Sequence, residues 1–289
     1  MDVDPATWNM CADALAIKLE TTPADRRPKV VIPVAFGGRS ADLIKIRALA
    51  DRYGFAIVED ASHAIGGYYD GSPVGDGRYA DITVFSFHPV KIVTTAEGGA
   101  CVTNDAGLAE RLGLFRSHGV TRDAGLLRAE NPDPWYYEQL ALGLNYRMTD
   151  IQAALGVSQM ARLAPFIARR RELVARYDAA LGTFPVHRPA GDGAGSLSAW
   201  HLYPVMVDPA IRRRVFDGMR AAGILVNVHY IPIHTQPYYR DLGFNIGDFP
   251  EAERYYAGAI SLPMFPGLTN DDQDHVINTL AGLLRELAA

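Results

Sequence analysis

Lys91 stands in an unusual setting for a lysine. The stretch Phe85-Ser86-Phe87-His88-Pro89-Val90 that leads into it is largely apolar, and Thr94-Thr95-Ala96-Glu97-Gly98-Gly99 follows shortly after. An amine withdrawn from water has a lowered pKa and can attack a carbonyl to form a Schiff base. Upstream, Val58-Glu59-Asp60-Ala61-Ser62-His63 puts the Asp60 carboxylate where a buried run ends. A charge in that position is costly unless it meets a cation or a strong donor, and a protonated pyridine nitrogen is such a partner. Taken singly, Asp60 reads as a turn or cap acid and Lys91 as a surface charge. The pairing of the two gives the chemical reading its weight.

Ser86 ends the run before Lys91, so its hydroxyl is a candidate for holding a cofactor phosphate. Gly98-Gly99 suits a close backbone approach or a positive φ, a weak signal by itself. His229 and His234 flank Tyr230-Ile231-Pro232-Ile233, but neither their spacing nor any neighbouring cysteine completes a zinc ligand set, so no metal is expected.

The elements that must position these residues follow from periodicity. A strand over 29–34, a helix over 42–53 with Leu43, Ile46 and Leu49 on one face, and a strand over 56–60 read as the start of a parallel sheet covered by helices. Strands over 82–86 and 99–103 flank the Lys91 loop, and ligand sites in open α/β sheets gather at strand ends. Helices are expected over 106–115 and from 149 to about 181, the second interrupted at Pro165. After the Gly/Ser-rich stretch 191–198 come a strand (200–207), a helix (211–222), a strand (224–228) and helices around Ala252 and over 271–287. The fold class expected is α/β, with a large domain over 1–163 and a smaller α+β domain over 164–289 that begins with an interdomain helix.

With 289 residues and 48% hydrophobic side chains, the chain can bury a sizeable core. A net charge of −5 with interspersed signs offers no field for nucleic acid or an anionic membrane, so a small molecule is the expected partner. Cys11 and Cys101 form no CxxC pair and are expected to be reduced, buried and inert. The opening MDVDPATWNM has no basic start or apolar core, which fits a cytoplasmic protein.

Three blocks, VEDASHAIGGYYDG, FSFHPVKIVTTAEGG and LGLNYRMTDIQAALG, resemble those of the DegT/DnrJ sugar aminotransferases. The likeness continues through RSHGVTRD, DPWYYEQL, VNVHYIPIHTQPYY and GDFPEAERYYAGAISLPMFP, and is similar to the branch that makes UDP-4-amino-4,6-dideoxy-N-acetyl-β-L-altrosamine for pseudaminic acid. The resemblance implies a fold-type I enzyme dependent on pyridoxal 5′-phosphate. In it Lys91 binds the cofactor covalently, Asp60 keeps the pyridine nitrogen protonated, His63 lies near the phenolic oxygen and Ser86 holds the phosphate. It further implies a homodimer whose active site is shared across the interface. There Asn145 reaches the phosphate of the neighbouring subunit, Arg147 supports that loop or the donor's carboxylate, and His88, His229 and Tyr230 line the sugar side. Glutamate would be the amino donor and a UDP-linked 4-keto-6-deoxy sugar the acceptor.

The opening segment Met1–Asn9 resembles an internal part of the family, which implies an N-terminally incomplete domain lacking roughly a hundred residues. Among them would be a Gly-Thr phosphate loop and an aromatic residue that stacks on the ring. A non-catalytic remnant is therefore the alternative reading. A dehydratase on the same fold would carry histidine where this chain has Lys91, and a metal-dependent hydrolase leaves the Lys91 block without a purpose.

Overall fold

A computed structural model describes residues 1–288 of the chain. A four-stranded sheet carries the site. Its strands are β1 (Val30–Val31), β2 (Ala56–Asp60), β3 (Ile82–Ser86) and β4 (Gly99–Val102), adjacent in that order. The first three are parallel, with Val30 opposite Ala56 and Val58 opposite Ile82.

β4 departs from the expected pattern by running antiparallel to β3, with Ser86 opposite Gly99. A parallel return needs a crossover of a dozen or more residues, usually a helix. The connection over 87–98 forms no helix and turns straight back, so the Lys91 loop is also the sheet's reversal. Gly99 makes that pairing possible, because a Cβ there would lie 2.7 Å from the Phe85 carbonyl oxygen.

The strand expected over 29–34 is shorter, since Pro33 has no N–H to donate to a ladder. Its carbonyl still accepts from the Asp60 amide at 2.9 Å, and Val34 bridges Asp60 in parallel. Helix Leu43–Tyr53 starts where the Asp42 carboxylate accepts the Lys45 amide (3.2 Å) and ends at Gly54 with φ 76°. It buries Leu43, Ile46 and Ala50; Ile46 and Ala50 join Leu15 and Leu19 of helix Ala12–Thr21 and Ile57 of β2 in one apolar cluster.

The expected long helix is two. Asp150–Met160 opens on a capping box between Thr149 and Gln152, and Leu163–Leu181 follows. The break precedes Pro165, which sits in the first turn of the second helix, where a missing N–H costs nothing.

The C-terminal part pairs β5 (Tyr203–Met206) antiparallel with β6 (Ala259–Leu262). Its core gathers Leu173, Tyr177 and Leu181 with Tyr203, Val205, Met219, Ile260 and Leu280. The strand expected over 224–228 does not form. Ile224 and Val226 donate locally to the Met219 and Ile224 carbonyls, and only Asn227 bridges Ser261. The strand paired with β5 is β6, in a segment where no strand was expected.

Cys101 is exposed and Cys11 half-buried, so the expectation of buried thiols fails; Cys11 accepts the Ala14 amide as a helix cap. Among the described residues no helix is long and apolar enough to cross a membrane.

Candidate active site

Asp60 is the last residue of β2. Its amide and carbonyl are taken by Pro33 and Ala35, so the backbone is fixed on one side of the sheet. Alternation along the strand sends Glu59 to the opposite face, where it is 2% exposed and accepts from the Ser40 and Thr83 hydroxyls at 3.1 and 3.2 Å. Burial pushes the Glu59 carboxyl up from its ordinary pKa. On the other face, Asp60 Oδ1 accepts the Ser62 amide at 3.0 Å, and Oδ2 has no hydrogen-bond partner among the described residues.

Lys91 is held by the loop between β3 and β4. Phe87 N donates to Gly98 O (2.8 Å), Thr95 N to Phe87 O (2.9 Å) and Lys91 N to His88 O (2.9 Å). The two residues after the lysine, Ile92 and Val93, are buried at 4% and 2% exposure and pin the loop to the interior. Ile92 packs with Ile167 and Ala199. Burial lowers the Lys91 pKa, and the Asp60 charge pulls against that lowering. The amine is therefore partly desolvated near a carboxylate, a setting that favours a nucleophilic lysine.

His63 is 7% exposed. Its pKa falls to about 3, chiefly by burial and further by the nearby Lys91 charge. The ring lies 6.3 Å from that of Tyr230 at an interplanar angle of 28° and 4.3 Å from that of His201. Tyr230 is itself half-exposed, and burial followed by the Asp60 charge raises its pKa. His229 bonds Ser261 Oγ through Nδ1 at 2.8 Å, and burial and the Lys91 charge lower its pKa.

Asp60, His63, Lys91, His229 and Tyr230 thus converge, although they come from segments far apart in the chain. Ser86 ends β3, beside β2, with its Oγ 3.4 Å from the His88 amide that donates to it. His88 is exposed, with Nε2 3.8 Å from a Glu97 carboxylate oxygen. Asn145 and Arg147 lie elsewhere: Arg147 donates to Asn145 Oδ1 at 3.1 Å and approaches His118 at 3.5 Å, and neither bonds to the converging group. His201 escaped notice in the sequence, as did Arg170, whose 3% exposure marks a buried cation. A polar residue just before a β-strand run was the available signal for His201.

Chemically, the arrangement offers a partly desolvated amine to a carbonyl and an open carboxylate oxygen to a cationic ring nitrogen. It also places a neutral imidazole and a phenol beside them.

The sequence matches the profile of the DegT/DnrJ/EryC1/StrS aminotransferase family over residues 1–281. It is 36% identical over 296 residues to the spore coat polysaccharide biosynthesis protein SpsC of Bacillus subtilis, covering 98% of this chain and 72% of SpsC. Among solved structures, the PLP form of the putative sugar aminotransferase Spr1654 from Streptococcus pneumoniae superimposes with a TM-score of 0.86 at 29% identity, over 99% of this chain and 75% of that one. PseC of Helicobacter pylori, an aminotransferase involved in the biosynthesis of pseudoaminic acid, gives a TM-score of 0.86 at 29% identity, over 99% of this chain and 73% of its own.

Proposed function

The chain belongs to the DegT/DnrJ/EryC1/StrS aminotransferase family, and from that premise we propose that it transfers an amino group from glutamate to the C4 ketone of a UDP-linked 4-keto-6-deoxy-N-acetyl sugar. The fold is that of fold-type I transferases and the cofactor is pyridoxal 5′-phosphate. The convergence of Asp60, His63 and the partly buried Lys91 at the end of the parallel strands carries the reading.

Asp60, Lys91 and Ser86 fit three groups of the cofactor. The free Oδ2 of Asp60 would hold a proton on the pyridine nitrogen, the Lys91 amine would bind the aldehyde carbon, and the Ser86 hydroxyl would meet the phosphate. When bound, the cofactor supplies an electron sink for the charge left by proton removal. Lys91 Nζ takes that proton and returns it in the second half-reaction, a role that needs an amine uncharged near neutral pH. The burial that lowers its pKa serves this role. Tyr230 and His229 border the open side, where a sugar would lie, and His88 stands at its edge.

In this reading residues 1–163 form the cofactor domain and 164–289 the smaller one. Asn145 and Arg147, exposed and clear of their own site, would serve the site of a second subunit. The segment around them exposes Trp135, Leu142, Tyr146, Ile151 and Val157, at 72% or more each, an apolar surface suited to a partner. The likeness to PseC, an aminotransferase of pseudoaminic acid biosynthesis, favours an acceptor from that branch, while SpsC, at higher identity, is a spore coat polysaccharide biosynthesis protein.

The test is mass analysis of the products when the chain, supplied with cofactor and glutamate, meets UDP-linked 4-keto-6-deoxy-N-acetyl sugars. Amination at C4 with release of 2-oxoglutarate supports the proposal. Turnover of glutamate with no amination of these sugars would replace the acceptor, and deoxygenation without amination would replace the reaction.

A further inference from the structure

His63 is fixed by an unusually closed set of contacts. Its Nδ1 lies 3.3 Å from the Gly37 amide. A backbone amide only donates, so Nδ1 must present its lone pair, and a neutral ring then carries its proton on Nε2. Nε2 has no hydrogen-bond partner among the described residues.

The dipeptide Gly37-Gly38 that offers this amide is bonded on its other side to the segment carrying His201. Ala199 N donates to Gly38 O at 2.9 Å and Leu202 N to Gly37 O at 3.2 Å. The approach is too close for any side chain: at Gly38, with φ +108°, a Cβ would stand 2.6 Å from Trp200 N and 3.0 Å from both His201 N and His63 O. The Arg170 guanidinium then takes the Trp200 and His201 carbonyls at 3.0 and 3.2 Å and Met264 O at 2.9 Å. So anchored, the His201 ring, 6% exposed, meets the His63 ring at 4.3 Å.

We propose that His201 is a positioning residue: packed on His63, it holds that ring with Nδ1 on the Gly37 amide and so leaves Nε2–H as a fixed, unpartnered donor. A fixed neutral donor suits an anionic oxygen on a ring bound between Asp60 and Lys91, and to that extent the inference rests on the cofactor reading above. His63 is faced by Lys91, Asp60, His229, Tyr230 and His201, and a ring free to turn among them would sample both tautomers.

The experiment is long-range proton–nitrogen NMR of the imidazoles in the full chain without cofactor, with His63 assigned by His63→Gln. The wild type should show His63 with Nε2 protonated and Nδ1 bare throughout about pH 5.5 to 8, where a free histidine titrates. His201→Phe, which keeps a ring at the contact, should preserve the pattern. His201→Leu, which removes the ring at similar volume, should give mixed tautomers or titration in that range, and weaken pyridoxal phosphate binding about tenfold. A wild-type His63 protonated on Nδ1, a pattern unchanged in His201→Leu, or a pattern lost in His201→Phe would each overturn the proposal. The expected tautomers in a chain that binds no cofactor would instead sink the cofactor reading and leave the role of His201 standing.

Discussion

Replacing Arg170 with methionine sets two large effects against each other. The guanidinium is 3% exposed and has no carboxylate partner among the described residues, and burial lowers its pKa from the ordinary value to about 10. That lowering corresponds to about 3 kcal/mol of desolvation, which the substitution would return. Against this stand the carbonyls of Trp200, His201 and Met264, three acceptors that share the two N–H bonds of Nη1. Hydrogen bonds to a charged donor contribute about 1.5–3 kcal/mol each, and the carbonyls would be left buried without another donor. Loss of two N–H bonds, with three carbonyls left unpaired, outweighs the desolvation by a modest margin, and Arg170→Met should destabilise the protein by about 1–3 kcal/mol. Urea unfolding read by tryptophan fluorescence suits the test, since Trp200 is 5% exposed and forms part of the clamp. An unchanged or increased midpoint at equal slope would show that the cation costs more than its bonds contribute, and would refute the clamp as a source of stability.

Glu59→Gln should stabilise the protein near neutral pH. A carboxyl whose folded pKa is raised loses stability as pH climbs from its unfolded value toward the folded one, so the gain should vanish in acid below the unfolded value; thermal melts at several pH values decide it. Asp60→Asn should leave the melt nearly unchanged while cutting turnover on the order of 10²–10³-fold, as loss of one preorganised electrostatic group does; equal losses of both would make Asp60 a structural acid. Leu280→Ala, at a position with 0% exposure in the C-terminal core, should cost about 2–5 kcal/mol in denaturant unfolding.

Much of the site was legible because its anchors are local. Asp60 ends a β-branched run, and Lys91 follows one, so strand periodicity alone put both at one sheet end. The direction of β4 was not, since whether a dozen residues form a crossover or a reversal depends on bonds such as Phe87 to Gly98 that no spacing encodes. Nor was the role of 224–228, an apolar run whose amides are spent on a local turn after Gly223. Arg170 reads in sequence as one of three consecutive arginines on an amphipathic helix; only the packed fold shows which of them turns inward.

The most direct test of the account is borohydride trapping of the chain incubated with pyridoxal phosphate, followed by peptide mapping, with Lys91→Ala beside it. The account predicts a reduced pyridoxyl adduct on Lys91 that prior glutamate suppresses and the variant lacks. An adduct spread over surface lysines and unchanged in Lys91→Ala would contradict it.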